Sequence, residues 1–256
     1  MSESPGNGEP LAEGTLISHL LELRDRLLKS VIAVAICFVP LAFFQNELFT
    51  LIARPLIEKL PKGTSLIATS VVAPFMAPLK LSVIVALFIA MPYVLLQVWA
   101  FVAPGLYKHE RRFAAPLVVS SILLFYGGVA FAYYVVFPLM FNFLATTTPT
   151  GVKMMTDMSS YIDFVLLLFF AFGIAFQVPV ATVLLVSTGL VKIETLKKNR
   201  GYVLLGIFVI AAFLTPPDAI SQSFMAVPMY LLYEIGIVLA KLVLADREQR
   251  RSAERI

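Results

Sequence analysis

GYVLLGIFVIAAFLTPPDAISQSFMAVPMYLLYEIGIVLAKLVL, residues 201–244, decides how this chain is folded. The run is apolar enough for a membrane but holds about twice the ~20 residues that one helical crossing of ~30 Å of hydrocarbon needs. Thr215-Pro216-Pro217-Asp218 interrupts it. Tandem prolines lack N–H donors and clash with the preceding turn, so a helix stops there. The run is read as two short spans, 201–215 and 222–244, joined by a tight turn. Their shortness calls for a bilayer thinned around them.

Working outward, four further apolar runs are long enough to cross: 28–45, 79–102, 116–137 and 161–188. The last of these is long enough to tilt or to project from the membrane. The composition demands this reading. The 256 residues are 59% hydrophobic and 14% charged, with a mean hydropathy of +0.89, whereas a soluble domain is ~45–50% apolar and ~25% charged. A soluble fold has too little interior for that excess; the bilayer accommodates it. Cys37, the single cysteine, cannot form an internal disulfide.

Charge sets the orientation. Fifteen of the twenty basic residues fall before span one (Arg24, Arg26, Lys29), between spans two and three (Lys108, Arg111, Arg112), between four and five (Lys192, Lys197, Lys198, Arg200), or around and after the end of span six (Lys241, Arg247, Arg250, Arg251, Arg255). Arg54, Lys59, Lys62, Lys80 and Lys153 make up the opposite set. The positive-inside rule makes the rich side cytoplasmic. The expected fold is therefore all-α: six transmembrane helices, both termini cytoplasmic, the last two helices short. Residues 1–14, acidic and rich in Gly and Pro, read as a disordered cytoplasmic tail, 15–244 as the membrane domain, and 245–256 as a basic cytoplasmic tail. No basic leader segment is visible.

The two longer outer connections differ in character. Residues 46–78 carry Pro55, Pro61, Pro74 and Pro78 among apolar stretches, which predicts a short helix and a structured cap at the membrane surface. In 139–160, Thr146-Thr147-Thr148-Pro149 reads as a turn. The chain shows no internal repeat.

The sequence has no Walker loop, no Cys/His cluster and no HExxH. Its two histidines, His19 and His109, lie in cytoplasmic segments. No metal, cofactor or catalytic activity is expected, and no nucleic acid. Residues 15–30 are amphipathic: Leu16, Leu20, Leu23 and Leu27 recur at helical spacing, with Ser18, Glu22, Arg26 and Lys29 on the other side. This suits an interfacial helix leading into span one, and Glu22 and Arg26, four apart, can pair. From Gln97 through Trp99, Phe101 and Lys108 to Glu110 and Arg112, aromatics meet charge at the membrane surface. That suits an aromatic belt and a positive-inside loop, in which the carboxylate of Glu110 is not required.

Polar groups deep in spans are functional candidates by default: Gln177 in span four and Glu234 in span six. Asp163 is near enough to the outer interface to be solvated. Pro92, Pro138, Pro179 and Pro228 are expected to kink their helices. A small-solute or ion transporter is the alternative reading, but it wants charges between pseudo-symmetric halves. Only Glu234 is acidic at depth and no repeat appears. An intramembrane enzyme would need a paired nucleophile and base, which is absent.

Three strings carry a resemblance: His19-Leu20-Leu21-Glu22-Leu23-Arg24-Asp25-Arg26, the stretch Gln97 to Arg112, and Leu214-Thr215-Pro216-Pro217-Asp218. Together they resemble the TatC family, the receptor subunits of the twin-arginine protein translocase, over about 16–244. The resemblance implies a multimeric complex in the cell inner membrane, with TatA and TatB as single-span partners. It implies cargo that is folded and carries a signal peptide with two arginines. Glu22 and Glu110 match the family's signal-binding acids, Phe101 the aromatic beside them, and Arg24, Arg26 and Lys108 basic positions of the same region. A carboxylate suits the planar fork of a guanidinium. Thr215 and Gln222, with Asp218 between them, lie where the family docks a partner helix, and a hydroxyl or carboxamide in lipid is worth ~1 kcal/mol to a polar partner. The family commonly has a glutamate at the position of Gln177; an amide there carries neither charge nor a proton.

Overall fold

A computed structural model describes residues 11–57, 67–102, 111–147, 155–215 and 218–253. Its helices are α1 (Leu11–Phe43), α2 (Gln45–Ile57), α3 (Ala73–Val102), α4 (Arg111–Phe131), α5 (Phe137–Thr147), α6 (Met158–Ala175), α7 (Val178–Ser187), α8 (Ile193–Lys198), α9 (Arg200–Leu214) and α10 (Ala219–Ala253). A π-helical turn, Ala132–Val136, joins α4 to α5. Among the described residues, five segments are long and apolar enough to cross a membrane: Ile17–Phe43, Ala73–Phe101, Pro116–Met140, Met158–Ser187 and Ala219–Ala245. The sixth apolar helix is α9, whose 15 residues span only ~22 Å at 1.5 Å per residue. The protein is an all-α membrane protein of six spans, with span five the short one.

Span one is peripheral. α1 packs chiefly on α3 and leaves Ile36, Val39 and Phe43 exposed, as suits a helix facing lipid. The core lies where α3, α4 and α6 meet, around Leu81, Phe125, Met140, Ile162, Leu168 and Phe172. Small residues allow the close approach. A Cβ on Gly128 would lie 2.5 Å from the carbonyl oxygen of Phe172, and one on Gly173 would lie 2.6 Å from the ring of Phe125. Without water between helices, such close contact is what holds them together.

Several elements differ from the sequence reading. Of the last two helices only α9 is short, because span six runs over the 27 residues Ala219–Ala245. Span four is not one long helix: it breaks at Phe176–Gln177 between α6 and α7. Gln177 N–H turns back to Ile174 C=O, 2.9 Å, and Pro179, which lacks an N–H, sits in the first turn of α7. Span three runs on past 137, through the π turn and α5, to Thr147. In the π turn Phe137 N–H bonds Ala132 C=O, a wider loop that relieves the clash of the Pro138 ring with the preceding turn. At the ends, α1 takes in residues 11–14 and α10 continues to Ala253, so part of each tail is helical. Pro92 and Pro228 lie within continuous helices.

The two longer connections are tied to each other. α2 is the short helix predicted in the first connection, and the far end of that connection, at Ile67 and Thr69, meets the connection before α6. Ile67 N–H bonds Thr156 C=O at 3.1 Å, and Met158 N–H bonds Ile67 C=O at 2.8 Å. Asp157 caps α6: one oxygen accepts from Ser160 N–H at 3.0 Å, the other from Thr69 N–H (3.1 Å) and hydroxyl (2.8 Å). These donors, Ser160 N–H first, hold the Asp157 carboxyl far below the usual carboxylate range. Close by, Asp163 is ion-paired to Lys80 rather than simply solvated.

Candidate functional site

The candidate site grows from the contact of α1 with the end of α3. The polar stripe of α1 turns inward: Glu22, Arg26 and Ser30, at i, i+4 and i+8, are half-buried, while Leu20, Leu23 and Leu27 are exposed. This inverts the layout of a soluble amphipathic helix, as expected where the surroundings are lipid and the polar groups must find partners within the protein. Arg26 bridges the two helices. Its Nε and one terminal nitrogen donate to Glu22 Oε1 at 2.9 and 2.6 Å, and its other terminal nitrogen donates to Oε1 of the buried Gln97 at 3.3 Å. One turn beyond Gln97, Phe101 stacks on His19, with ring centroids 4.3 Å apart and planes 16° from parallel.

The geometry leaves specific capacity open. Both bonds from Arg26 fall on Glu22 Oε1, so among the described residues Oε2 takes no bond from Arg26, and the Glu22 side chain retains 37% of its exposure. Phe101 is half-buried, with one face taken by His19. Arg24 pairs with its exposed neighbour Asp25 at 2.9 Å and not with Glu22, so the anchoring of the acid falls to Arg26. Glu110 and Lys108 lie outside the described residues.

Behind this site a polar chain ties three spans together. Trp99 Nε1–H donates to Ser121 Oγ at 2.7 Å, and the Ser121 carbonyl accepts from Gln177 Nε2 at 3.0 Å. The break in span four turns the Gln177 amide toward α4, while its own oxygen is buried without a partner. An amide suits this contact because an ionised carboxylate would set oxygen against oxygen. Glu234 is not solitary either. It pairs with Arg200 at 2.6 Å and accepts from Tyr230 O–H at 3.0 Å, which puts it level with the first residue of the short α9.

At the opposite end of α9, Thr215 is buried in extended conformation (φ −127°, ψ 160°), as a residue before proline prefers. Its hydroxyl donates to Ala211 C=O at 2.9 Å, leaving the oxygen lone pairs as acceptors. Asp218 accepts from Ser221 N–H at 2.7 Å and so caps α10. Gln222, half-buried, follows one turn on; the buried hydroxyl oxygen of Ser221 has no partner.

The structure therefore joins Glu22, Arg26 and Phe101 in one region through Gln97 and His19, two residues to which sequence reasoning gave no role. It groups Thr215, Asp218 and Gln222 at a second place, and Gln177 at a third. The cap by Asp157 was also missed, although an Asp just before an apolar run is a helix-start signal.

Comparison with known proteins agrees with this arrangement. A family model described as Sec-independent protein translocase protein (TatC) matches residues 18–228. The chain is 57% identical over 222 residues to the Sec-independent protein translocase protein TatC of Azotobacter chroococcum mcd 1, covering 87% of each chain. It is 53% identical over 235 residues to that of Escherichia coli (strain K12), covering 92% of this chain and 91% of the other. A crystal structure of a twin arginine translocase receptor, TatC, superposes with a TM-score of 0.79 at 40% identity, over 88% of this chain and 98% of that one. With the six spans, the polar face of α1 against α3 and these matches along nearly its whole length, this chain belongs to the TatC family of Sec-independent protein translocase proteins.

Proposed function

We propose that this translocase subunit is the receptor for twin-arginine signal peptides and that Glu22 takes one of the two arginines. The observation that carries the reading is the half-exposed Glu22 carboxylate, anchored through Oε1 by Arg26 and open at Oε2, beside a half-buried Phe101. A guanidinium bonded to Oε2 gains a charge-assisted contact with an acceptor already held in place. The free face of Phe101 suits an apolar side chain following the arginine pair. Glu110, by its match to the family, is the proposed acid for the second arginine, with Lys108 and Arg24 in the basic surroundings. The charge bias supports a cytoplasmic position for this face and both termini, and membership of the family supports the inner membrane. The region of Thr215, Asp218 and Gln222 is the proposed dock for the single-span TatA and TatB, through the acceptor oxygen of Thr215 and the carboxamide of Gln222.

The test is site-specific photocrosslinking of a precursor with an intact Arg-Arg signal to membranes carrying Glu22→Gln. This variant keeps the side-chain shape and removes the charge, and loss of a charge-assisted bond worth ~1.5–3 kcal/mol weakens binding roughly 10- to 100-fold. Arg-to-Lys changes in the signal should weaken binding to the wild type, because an ammonium has no fork. Undiminished crosslinking to a normally inserted Glu22→Gln chain refutes the assignment.

A further inference from the structure

A groove of about 380 Å³ runs between α6, α9 and α10, with walls of Phe170, Ile174, Val203, Ile207, Met229 and Tyr233. It is almost wholly carbon-lined and partly open to the surroundings. Its α9 wall, from Val203 to Leu214, is ~16 Å long at 1.5 Å per residue. A narrow apolar trough of this kind in a membrane protein suits an alkyl chain.

One end of the groove is charged. Tyr233 lines the groove and donates its O–H to Leu196 C=O at 2.8 Å, which fixes α8 across that end. The next residue, Lys197, lies close enough to Lys241 of α10 for their charges to act on each other, and the charge of Arg200 also acts there. The carboxylate whose charge reaches Lys241 is that of Glu234, already engaged by Arg200 and Tyr230. Like charges brought near each other repel, and an anion bound by both ammonium groups relieves that repulsion. In addition, α9 begins at Arg200 without a side-chain cap from Asn199, and the uncapped N–H groups of its first turn favour negative charge.

We propose that this groove is a binding site for an anionic phospholipid, with an acyl chain along α9 and the headgroup phosphate between Lys197 and Lys241. A basic pocket between spans joined to an apolar trough matches both halves of such a molecule. A free phosphate would use only the charged end and leave the trough without a role. The proposal does not depend on the signal-peptide site, and its test needs neither precursor nor partner subunits.

The experiment is native mass spectrometry of the full chain purified in detergent and titrated with phosphatidylglycerol or phosphatidylcholine of the same acyl composition. Wild type should retain phosphatidylglycerol in preference to phosphatidylcholine, and inorganic phosphate at equal concentration should not displace it. Each lysine near a membrane surface contributes enough attraction that Lys197→Gln with Lys241→Gln should weaken phosphatidylglycerol binding about thirtyfold. Lys197→Arg with Lys241→Arg should keep it. Ile207→Trp, which fills the trough, should lower retention with both lysines intact. Equal retention of the two lipids, undiminished binding in the double glutamine variant, or displacement by inorganic phosphate overturns the proposal.

Discussion

Gly127 and Gly128 are neighbours on α4, and the structure gives them opposite fates. A Cβ built on Gly128 meets the carbonyl oxygen of Phe172 at 2.5 Å, its carbon at 3.0 Å and the Cβ of Phe176 at 3.0 Å. Two of those atoms are backbone, which no rotamer change can move. The helices must therefore separate by several tenths of an ångström along a contact that also holds Phe125 against Gly173. Overpacking of this kind costs ~1–3 kcal/mol. A Cβ on Gly127 meets nothing within 4 Å, and alanine there gains up to ~1 kcal/mol of helix propensity. Gly128→Ala should therefore lower, and Gly127→Ala preserve or raise, the midpoint of thermal unfolding in detergent. Trp99, the sole tryptophan, is buried and bonded to Ser121 on α4, so its emission reports the packing of α4. Equal midpoints for Gly128→Ala and wild type, or an equal loss in Gly127→Ala, would show that α4 and α6 do not meet as described.

Ser121→Ala leaves Trp99 Nε1–H buried without its acceptor, which should cost ~1–3 kcal/mol and shift Trp99 emission; an unchanged spectrum would refute the contact. Asp157 makes the cap of α6 sensitive to acid. Its carboxyl titrates lower in the folded protein than its ordinary ~3.9, so the cap contributes fully above that value and is lost as pH falls through the folded one. Asp157→Asn should flatten the fall of thermal stability below pH ~4, and a variant as acid-sensitive as wild type would place the effect elsewhere.

The spans were open to sequence reading because a run of apolar residues has few other fates once its length passes ~20. The exceptions have local causes. The break at Gln177 and the π turn before Pro138 both come from a missing N–H. A proline announces a disturbance without saying whether the helix bends, widens or stops; the packing decides, and at Phe176–Gln177 it leaves the amide aimed at Ser121. The same limit applied to α1. Periodicity separated its leucines from Glu22 and Arg26, but not which side faces protein, since in lipid the answer reverses. The position of α3 beside α1 settles it.

That reversal also bears on why Arg26 stands one turn from Glu22. A carboxylate left alone on a half-buried helix face has no fixed direction. Paired on one oxygen with a guanidinium, which itself bonds the buried Gln97, it is held in place while its second oxygen takes no bond from Arg26. An arginine binding there, as proposed, would meet an acceptor that needs no reorganisation. The same pairing disfavours a stray monovalent cation, because Arg26 already cancels the local charge and what remains is geometry. Recognition at Glu22 would then rest on a donor able to reach Oε2 beside an occupied Oε1, which a planar guanidinium does better than a point charge.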